Sequence, residues 1–158
     1  MRARQGMAIM LRLNRVIDKG VAVAVVGYTD ALVATLFAQN GVPASDSDPD
    51  SSDVLRQLAA LLKREQRSPD IVARYGGEEF VVLLPETNSI ESRNFAERVL
   101  KRVASYDFGD AGKPVRVTIS IGLASFPSER ISDGQSLLEL ADNHLYRAKS
   151  EGRNRYRD

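Results

Sequence analysis

Several residue types and patterns are missing from this sequence, and each absence removes a class of protein. None of the 158 residues is cysteine, which excludes disulfide bonds and thiolate metal sites and fits a reducing cytoplasm. The longest apolar run, Val21–Val26, is far shorter than the ~20 residues needed to cross a bilayer, and residues 1–20 show no signal-peptide cleavage pattern. The formal net charge is only +1, so no overall field attracts nucleic acid or an anionic membrane. We therefore expect a cytoplasmic protein that binds neither DNA nor RNA and has no membrane segment.

What is present suits one globular domain. A chain of 158 residues is long enough to bury a full core, and no internal repeat divides it. Hydrophobic residues make up 43% and charged residues 27%, which is ordinary for a folded protein of this size. We expect a single domain over residues 1–158.

Hydrophobic periodicity predicts alternating helices and strands. Residues 7–17 are apolar with interleaved arginines and suit either an amphipathic helix or a strand. The further predicted elements are a buried strand at Val21–Val26, a helix at 31–39 capped by Asp30, a loop at 42–52, a helix at Val54–Gln66 ended by Pro69, a hairpin at 71–84, a helix at Ser89–Ala104, a loop at 105–114, a strand at Val115–Phe126 and a helix at Ser136–Glu151 with Gly152 as its C-cap. Interleaved strands and helices predict an α/β fold with helices packed on a mixed sheet.

The stretch IVARYGGEEFVVLLP, at Ile71–Pro85, carries the strongest functional signal. Two apolar runs flank Gly76, Gly77, Glu78 and Glu79, and paired glycines permit the positive φ of a tight hairpin turn. Carboxylates at a hairpin tip have no part in core packing, and glycines let a bulky ligand approach the backbone. Such acidic oxygens suit a hard cation and, with it, a polyphosphate. A solvated turn with two surface glutamates is the competing interpretation.

Four motifs in a fixed order resemble those of a known family. RSPD at Arg67–Asp70 is separated by five residues from Gly76 of RYGGEEF, VTISIG follows at Val117–Gly122, and ADNHLYRAK with GRNR lies within Ala141–Arg155. Together, over about residues 52–157, they resemble the GGDEF family, the diguanylate cyclases of bacterial signalling. The resemblance implies a central five-stranded sheet surrounded by helices, related to nucleotide cyclase catalytic domains. Residues 1–50 are atypical of that family.

The resemblance implies a reaction and a cofactor. In the family two GTP molecules, one on each subunit of a dimer, are joined into cyclic di-GMP with Mg²⁺ or Mn²⁺ neutralising the triphosphates. By position, Glu78 would be a metal ligand and Glu79 would support the metal or the attacking hydroxyl, so both are candidate catalytic residues.

Other residues of the motifs would hold the substrate. Gly76 and Gly77 would let the nucleotide lie against the hairpin, while Lys149 and Arg153, taken as one helical turn apart, would face the terminal phosphates. A solvated helix end is the alternative for these two cations. His144, the single histidine, shows no partner in the sequence and suits a surface or core position.

Arg67 and Asp70 form a second candidate site. An arginine and an aspartate three residues apart at a helix exit can present a guanidinium fork beside a carboxylate, and the two suit a phosphate and a guanine edge. In the family this pair binds the product, cyclic di-GMP, and inhibits the enzyme. Arg98 lies at the matching distance from Gly76 to join it. A local salt bridge of little energy is the alternative.

The sequence departs from the family before the hairpin. The family's first strand ends in an Asp-x-Asp-x-Phe-Lys pattern, whose first aspartate binds metal. If Val21–Val26 is that strand, Gly27 takes the metal position and only Asp30 is acidic. If Ala8–Val16 is that strand, Arg12 falls there instead. A cation held without an opposing acid binds weakly, so catalysis that depends on it should fall by orders of magnitude.

Three functions remain open on these grounds. The first is a GGDEF-fold module that binds cyclic di-GMP with weak or lost synthesis. The second is a working diguanylate cyclase whose metal site is completed by Asp30 or an acid of residues 42–52. The third is a regulator that binds GTP without turnover. We also expect a weak or ligand-induced homodimer, because cyclic di-GMP offers two equivalent guanine faces.

Overall fold

The structure is a computed structural model that describes residues 2–28, 49–76, 78–110, 112, 114–128 and 131–158. The helix predicted at 31–39, its cap Asp30 and most of the loop predicted at 42–52 lie outside this part of the chain. The described elements are α1 (Arg2–Val16), a short 3₁₀ helix (Ile17–Lys19), β1 (Val21–Tyr28), α2 (Pro49–Glu65), β2 (Ile71–Gly76), β3 (Glu79–Pro85), α3 (Ser89–Ser105), β4 (Ile119–Phe126), α4 (Gly134–Ser150) and β5 (Tyr156–Arg157).

The five described strands form one mixed sheet in the order β2-β3-β1-β4-β5. β1 lies between β3 and β4 and is antiparallel to both, and β2 and β3 form the antiparallel hairpin. β5 is parallel to β4 and pairs with it at two positions. The α/β expectation of a mixed five-stranded sheet surrounded by helices is confirmed.

Alternation along the strands divides the core into two layers, one on each face of the sheet. In β1, Ala22, Ala24 and Val26 face the layer that contains buried residues of α2 and α3. The valines at 21, 23 and 25 face the layer that contains buried residues of α1 and α4. Residues 21–26 of β1 are fully buried on both faces, which explains their continuous apolar sequence.

The first helix resolves an ambiguity of the sequence. Residues 2–16 are helical, so Val21–Val26 belongs to the first strand and the alternative with Ala8–Val16 as that strand is wrong. Ile9 and Leu13, four residues apart, bury one side of α1 against the sheet. This fixes Gly27 near the end of β1.

Three predicted boundaries need correction. β4 begins at Ile119 rather than Val115, because Val115 instead makes an isolated bridge with Phe108. α2 begins at Pro49, inside the predicted 42–52 loop, since proline is well tolerated in the first helical turn. α4 begins at Gly134, because Asp133 accepts a hydrogen bond from the Ser136 amide and caps the helix two residues earlier than expected.

The C-terminal end of α4 differs by one residue from the expectation. Glu151 is the C-cap, and Gly152 follows it with φ of +117°. Glycine adopts that backbone without the steric cost of a Cβ, which is why it commonly follows a helix C-cap. None of the helices in the described ranges is long and apolar enough to cross a membrane.

Candidate nucleotide-binding site

The hairpin of β2 and β3 places the adjacent residues Glu78 and Glu79 in different surroundings. Its register pairs Arg74 with Phe80 and then Gly76 with Glu79, so Tyr75 forms a bulge just before the turn. Glu78 is exposed in the turn itself. Glu79 is the first residue of β3 and pairs directly with Gly27 on β1. Gly77 lies outside the described residues.

Three neighbouring strands place Glu79, Gly27 and Ser120 in one row. Gly27 pairs with Glu79 on one side and with Ser120 of β4 on the other. Since alternate residues of a strand share a face, all three lie on the face covered by α4. Ser120 is fully buried, and its hydroxyl oxygen has no hydrogen-bond partner within the described part of the chain.

Lys149, near the C-terminal end of α4, extends over this row. Its Nζ lies 3.3 Å from Glu79 Oε1, and both side chains are about one-third exposed or less. A Cβ built on Gly27 would lie 2.5 Å from Lys149 Cε and 2.8 Å from its Nζ. The ammonium therefore occupies the space that a side chain at position 27 would need.

Asp142 adds a second carboxylate to the same region. It lies two helical turns before Lys149 on α4. Partial burial raises the pKa of Asp142, the Glu79 carboxylate raises it further, and the Lys149 ammonium opposes both. Glu79, Asp142 and Lys149 thus form one electrostatic cluster with two acids and a single base.

Arg67 and Asp70 form a tight turn between α2 and β2. The Asp70 amide donates to the Arg67 carbonyl at 2.9 Å, and the Arg67 amide donates to Asp70 Oδ2 at 2.8 Å. The Arg67 guanidinium lies 3.5 Å from Asp70 Oδ1 and donates to Thr87 Oγ1 at 2.5 Å. The side chain of Asp70 is 1% exposed, whereas that of Arg67 is 51% exposed. The aspartate therefore holds the turn, and the arginine faces solvent.

Arg98 is held by a different acid. Its Nε donates to Glu65 Oε2 at 2.9 Å, and its guanidinium lies 5.5 Å above the ring of Phe95. Glu65 also pairs with Arg102 at 3.2 Å. About half of the Arg98 side chain is exposed, so a ligand can reach this guanidinium from solvent.

Arg153 does not continue the helix of Lys149. α4 ends at Ser150, and Arg153 has φ of +61° in the turn that follows. The expected spacing of one helical turn is therefore wrong, although Arg153 is exposed and available to a ligand. His144 is half-buried, with Nδ1 2.7 Å from the Leu123 carbonyl oxygen, in line with a structural role.

A comparison with known families decides the assignment of the fold. The family described as "Diguanylate cyclase, GGDEF domain" matches residues 50–155. The chain belongs to the GGDEF family. The hairpin and the Arg67–Asp70 turn both lie inside the matched residues.

Relatives and solved structures agree with this assignment. Diguanylate cyclase DgcP of Pseudomonas aeruginosa is 41% identical over 102 residues, which cover 65% of this chain and 15% of that protein. The matched segment spans less than a third of the length of several such curated relatives. The GGDEF domain of YfiN (TpbB) from P. aeruginosa superposes with a TM-score of 0.80 at 25% identity, covering 95% of this chain and 92% of that one. The GGDEF domain of DgcB from Caulobacter crescentus, solved in complex with c-di-GMP, gives 0.79 at 24% identity, covering 96% and 88%.

The described donor set of this GGDEF domain does not fit the divalent cation that the family uses. Gly27 supplies no ligand at the end of β1, and the adjacent space holds the Lys149 ammonium. In the ranges that the structure describes, no three histidine, cysteine, aspartate or glutamate side chains converge on one point. Six or more oxygen ligands are usual for such a cation. The role of Glu78 as a metal ligand stays a prediction.

Sequence reasoning missed four side chains that shape these sites. Asp142 could have been found from its two-turn spacing before Lys149, which puts both on one side of a helix. The other three carry no local signal, because each is joined to its partner only by the tertiary fold. They are Glu65 beside Arg98, Thr87 beside Arg67, and Ser120 beside Gly27.

Proposed function

We propose that this chain is a GGDEF domain that binds cyclic di-GMP through Arg67, Asp70 and Arg98, with diguanylate cyclase activity weak or lost. The observation that carries the proposal is the contrast between two sites of the fold. The Arg67–Asp70 turn is internally hydrogen-bonded, and its arginine side chain remains half-exposed, whereas β1 reaches Gly27 without an acid to oppose Glu79.

Preorganisation favours the turn as a ligand site. The Asp70 carboxylate and the Thr87 hydroxyl already fix the Arg67 guanidinium, so less conformational entropy is lost when a phosphate or guanine acceptor binds it. Arginine suits such acceptors because its planar donors pair with two oxygens at once. In this proposal Asp70 positions Arg67. Arg98 supplies a second guanidinium after its ion pair with Glu65 breaks.

The binding half of the proposal is tested by titrating cyclic di-GMP into the wild-type chain and two variants. Arg67→Ala removes a charged hydrogen-bond donor, and since such a bond contributes roughly 1.5–3 kcal/mol, affinity should fall at least about tenfold. Arg147→Ala removes an exposed arginine on α4 that pairs with Glu151 and should leave affinity unchanged. Equal affinity in Arg67→Ala and wild type, with both folded by circular dichroism, would contradict the site.

The catalytic half is tested by incubating the chain with GTP and either Mg²⁺ or Mn²⁺ at high protein concentration. We expect little or no cyclic di-GMP, because a missing first-strand acid weakens the metal site and each ~1.4 kcal/mol costs tenfold in rate. Efficient synthesis that disappears in Glu78→Ala would instead support a working cyclase. In that case Asp30 or an acid of residues 42–52 would be the group that completes the metal site.

A GTP-binding role without turnover is the second candidate. It is favoured by a cleft of about 310 Å³ between α2 and the hairpin, with an apolar floor and three cations around it. Its lining residues are Leu55, Arg56, Ala59, Lys63, Val72, Arg74 and Phe80. Metal-independent binding of a fluorescent GTP analogue, weakened by Lys63→Ala in the cleft lining but not by Arg67→Ala, would support it.

We further propose that residues 1–158 form one GGDEF domain whose first fifty residues are its divergent part. Superposition of 95% of the chain on a single GGDEF domain supports this. A weak or ligand-induced homodimer follows if cyclic di-GMP joins two Arg67 sites. Sedimentation velocity with and without the nucleotide distinguishes a ligand-induced dimer from a monomer.

A further inference from the structure

We propose that the Lys149 ammonium is the built-in counter-cation of Glu79 in this chain and keeps a divalent cation out of the row formed by Glu79, Gly27 and Ser120. The inference rests on the proposed loss of cyclase activity and gives it a physical cause. Its test reads metal binding rather than turnover or cyclic di-GMP binding, so the two proposals can fail separately.

Space is the first argument. Gly27 is buried, and the atoms that fill the volume of its missing side chain are Lys149 Cε and Nζ, with Leu145 Cδ1 at 3.1 Å. Lysine normally extends its charged end into water. Here the Lys149 side chain is only 28% exposed, because Gly27 leaves a recess into which the ammonium end of the side chain fits.

Charge is the second argument. Lys149 Nζ is 3.3 Å from Glu79 Oε1, and Asp142 lies near enough for its carboxyl to respond to both partners. One ammonium beside two carboxylates leaves a small net negative charge. A divalent cation entering there would have to displace a like charge held at contact distance, and the local dielectric is lower than that of water.

The buried Ser120 hydroxyl is the third argument. Its oxygen is fully enclosed and has no hydrogen-bond partner among the described residues, although most buried hydroxyls in proteins are paired. Ser120 is the cross-strand neighbour of Gly27 on the same face. The unpaired hydroxyl therefore lies next to the space left by the missing side chain at position 27. The Lys149 ammonium fills that space but forms no hydrogen bond with the hydroxyl.

The experiment measures binding of Mn²⁺ alone to the full chain by electron paramagnetic resonance, which reports the free ion. Wild type should show only weak, non-saturating binding. Lys149→Met keeps the length of the side chain and removes its charge, so it should bind one Mn²⁺ at least about tenfold more tightly, a change of about 1.4 kcal/mol. Adding Glu79→Gln to this variant should abolish the gain. Lys101→Ala, an exposed lysine on α3, is the matched control and should behave as wild type.

A second variant, Gly27→Asp, tests the proposal even if Lys149→Met does not fold. Gly27→Asp displaces the ammonium by steric overlap and adds a carboxylate, so it should also gain Mn²⁺ binding that depends on Glu79. The proposal is overturned if wild type already binds Mn²⁺ tightly through Glu79. It is equally overturned if Lys149→Met folds but shows no gain in Mn²⁺ affinity. If Lys149→Met does not fold, the same result for folded Gly27→Asp overturns the proposal.

Discussion

Gly27 shows how much a single absent side chain can change a site. The strand around it is regular, and the antiparallel pairing continues from Val26 with Phe80 to Gly27 with Glu79. Without a carboxylate at that position, the Lys149 side chain folds inward and pairs with Glu79. The effect on charge is local: the carboxylate of Glu79 is paired with an ammonium of the same chain.

Asp142 gives a test of this cluster through its response to pH. Burial and then the Glu79 carboxylate raise the pKa of Asp142 above its ordinary value of 3.8. A carboxyl with a raised pKa stabilises the fold when protonated, and this contribution is complete below the unfolded-state pKa and lost as pH rises through the folded one. Asp142→Asn should therefore raise the free energy of unfolding at neutral pH, with a smaller effect at about pH 3.5.

Urea denaturation of Asp142→Asn at the two pH values measures this difference. Asp110→Asn, at an exposed loop position, is the control and should show no such pH-dependent gain. An Asp142→Asn variant that is less stable than wild type at neutral pH would show that the carboxylate is not penalised by its surroundings.

At the scale of elements, α4 lies directly on β4. Gly122 of β4 is the point of closest approach, because a Cβ there would overlap the Ala141 carbonyl and the backbone of Leu145. This close contact lets Leu145 pack over β1 and brings Lys149 above Gly27. The position of the ammonium thus depends on a helix–strand contact made two turns earlier in α4.

Gly122→Ala should separate α4 from β4 and destabilise the fold by about 2–3 kcal/mol, the cost of overpacking a rigid contact. Gly112→Ala is the matched control, since nothing lies within 4 Å of a Cβ at that position, and it should change stability by less than about 0.5 kcal/mol. Chemical denaturation of both variants checks the difference, and equal stabilities would show that the helix can move away from β4 without cost.

The elements also show what periodicity can and cannot predict. β1, the hairpin and α3 follow from local patterns of apolar residues, and the structure confirms them. The start of α2 was missed because Pro49, Asp50 and the serines after it are as typical of a loop as of a first helical turn. β4 is shorter than the alternation from Val115 predicts, because Val115 bridges Phe108 and the paired strand begins only at Ile119.

At the scale of the molecule, the two candidate sites depend on different layers of the fold. The Arg67 turn follows α2, and Arg98 lies on α3, so these belong to helices on one face of the sheet. Lys149 and Asp142 lie on α4 over the opposite face. Gly27 and the Arg67 turn therefore lie in different parts of the fold, and a change at position 27 does not touch the residues that form the turn.

The motifs allowed the sequence to predict the family and the fold, and the family match confirms this; the site residues stay predictions. The row of Glu79, Gly27 and Ser120 could not be predicted, because it joins three strands whose relative register is set only by tertiary packing. The same reason hid the Glu65–Arg98 pair, whose members are thirty-three residues apart in the sequence. Local sequence determines which groups are present, and the sheet determines which of them meet.

A calorimetric titration of the wild-type chain with cyclic di-GMP, without any divalent cation, tests the central claim most directly. The account predicts saturable binding in the micromolar range with a defined stoichiometry, because the Arg67 turn is complete and needs no metal. Absence of binding by the folded chain would contradict the account and would leave GTP binding as the better explanation of the cleft beside the hairpin.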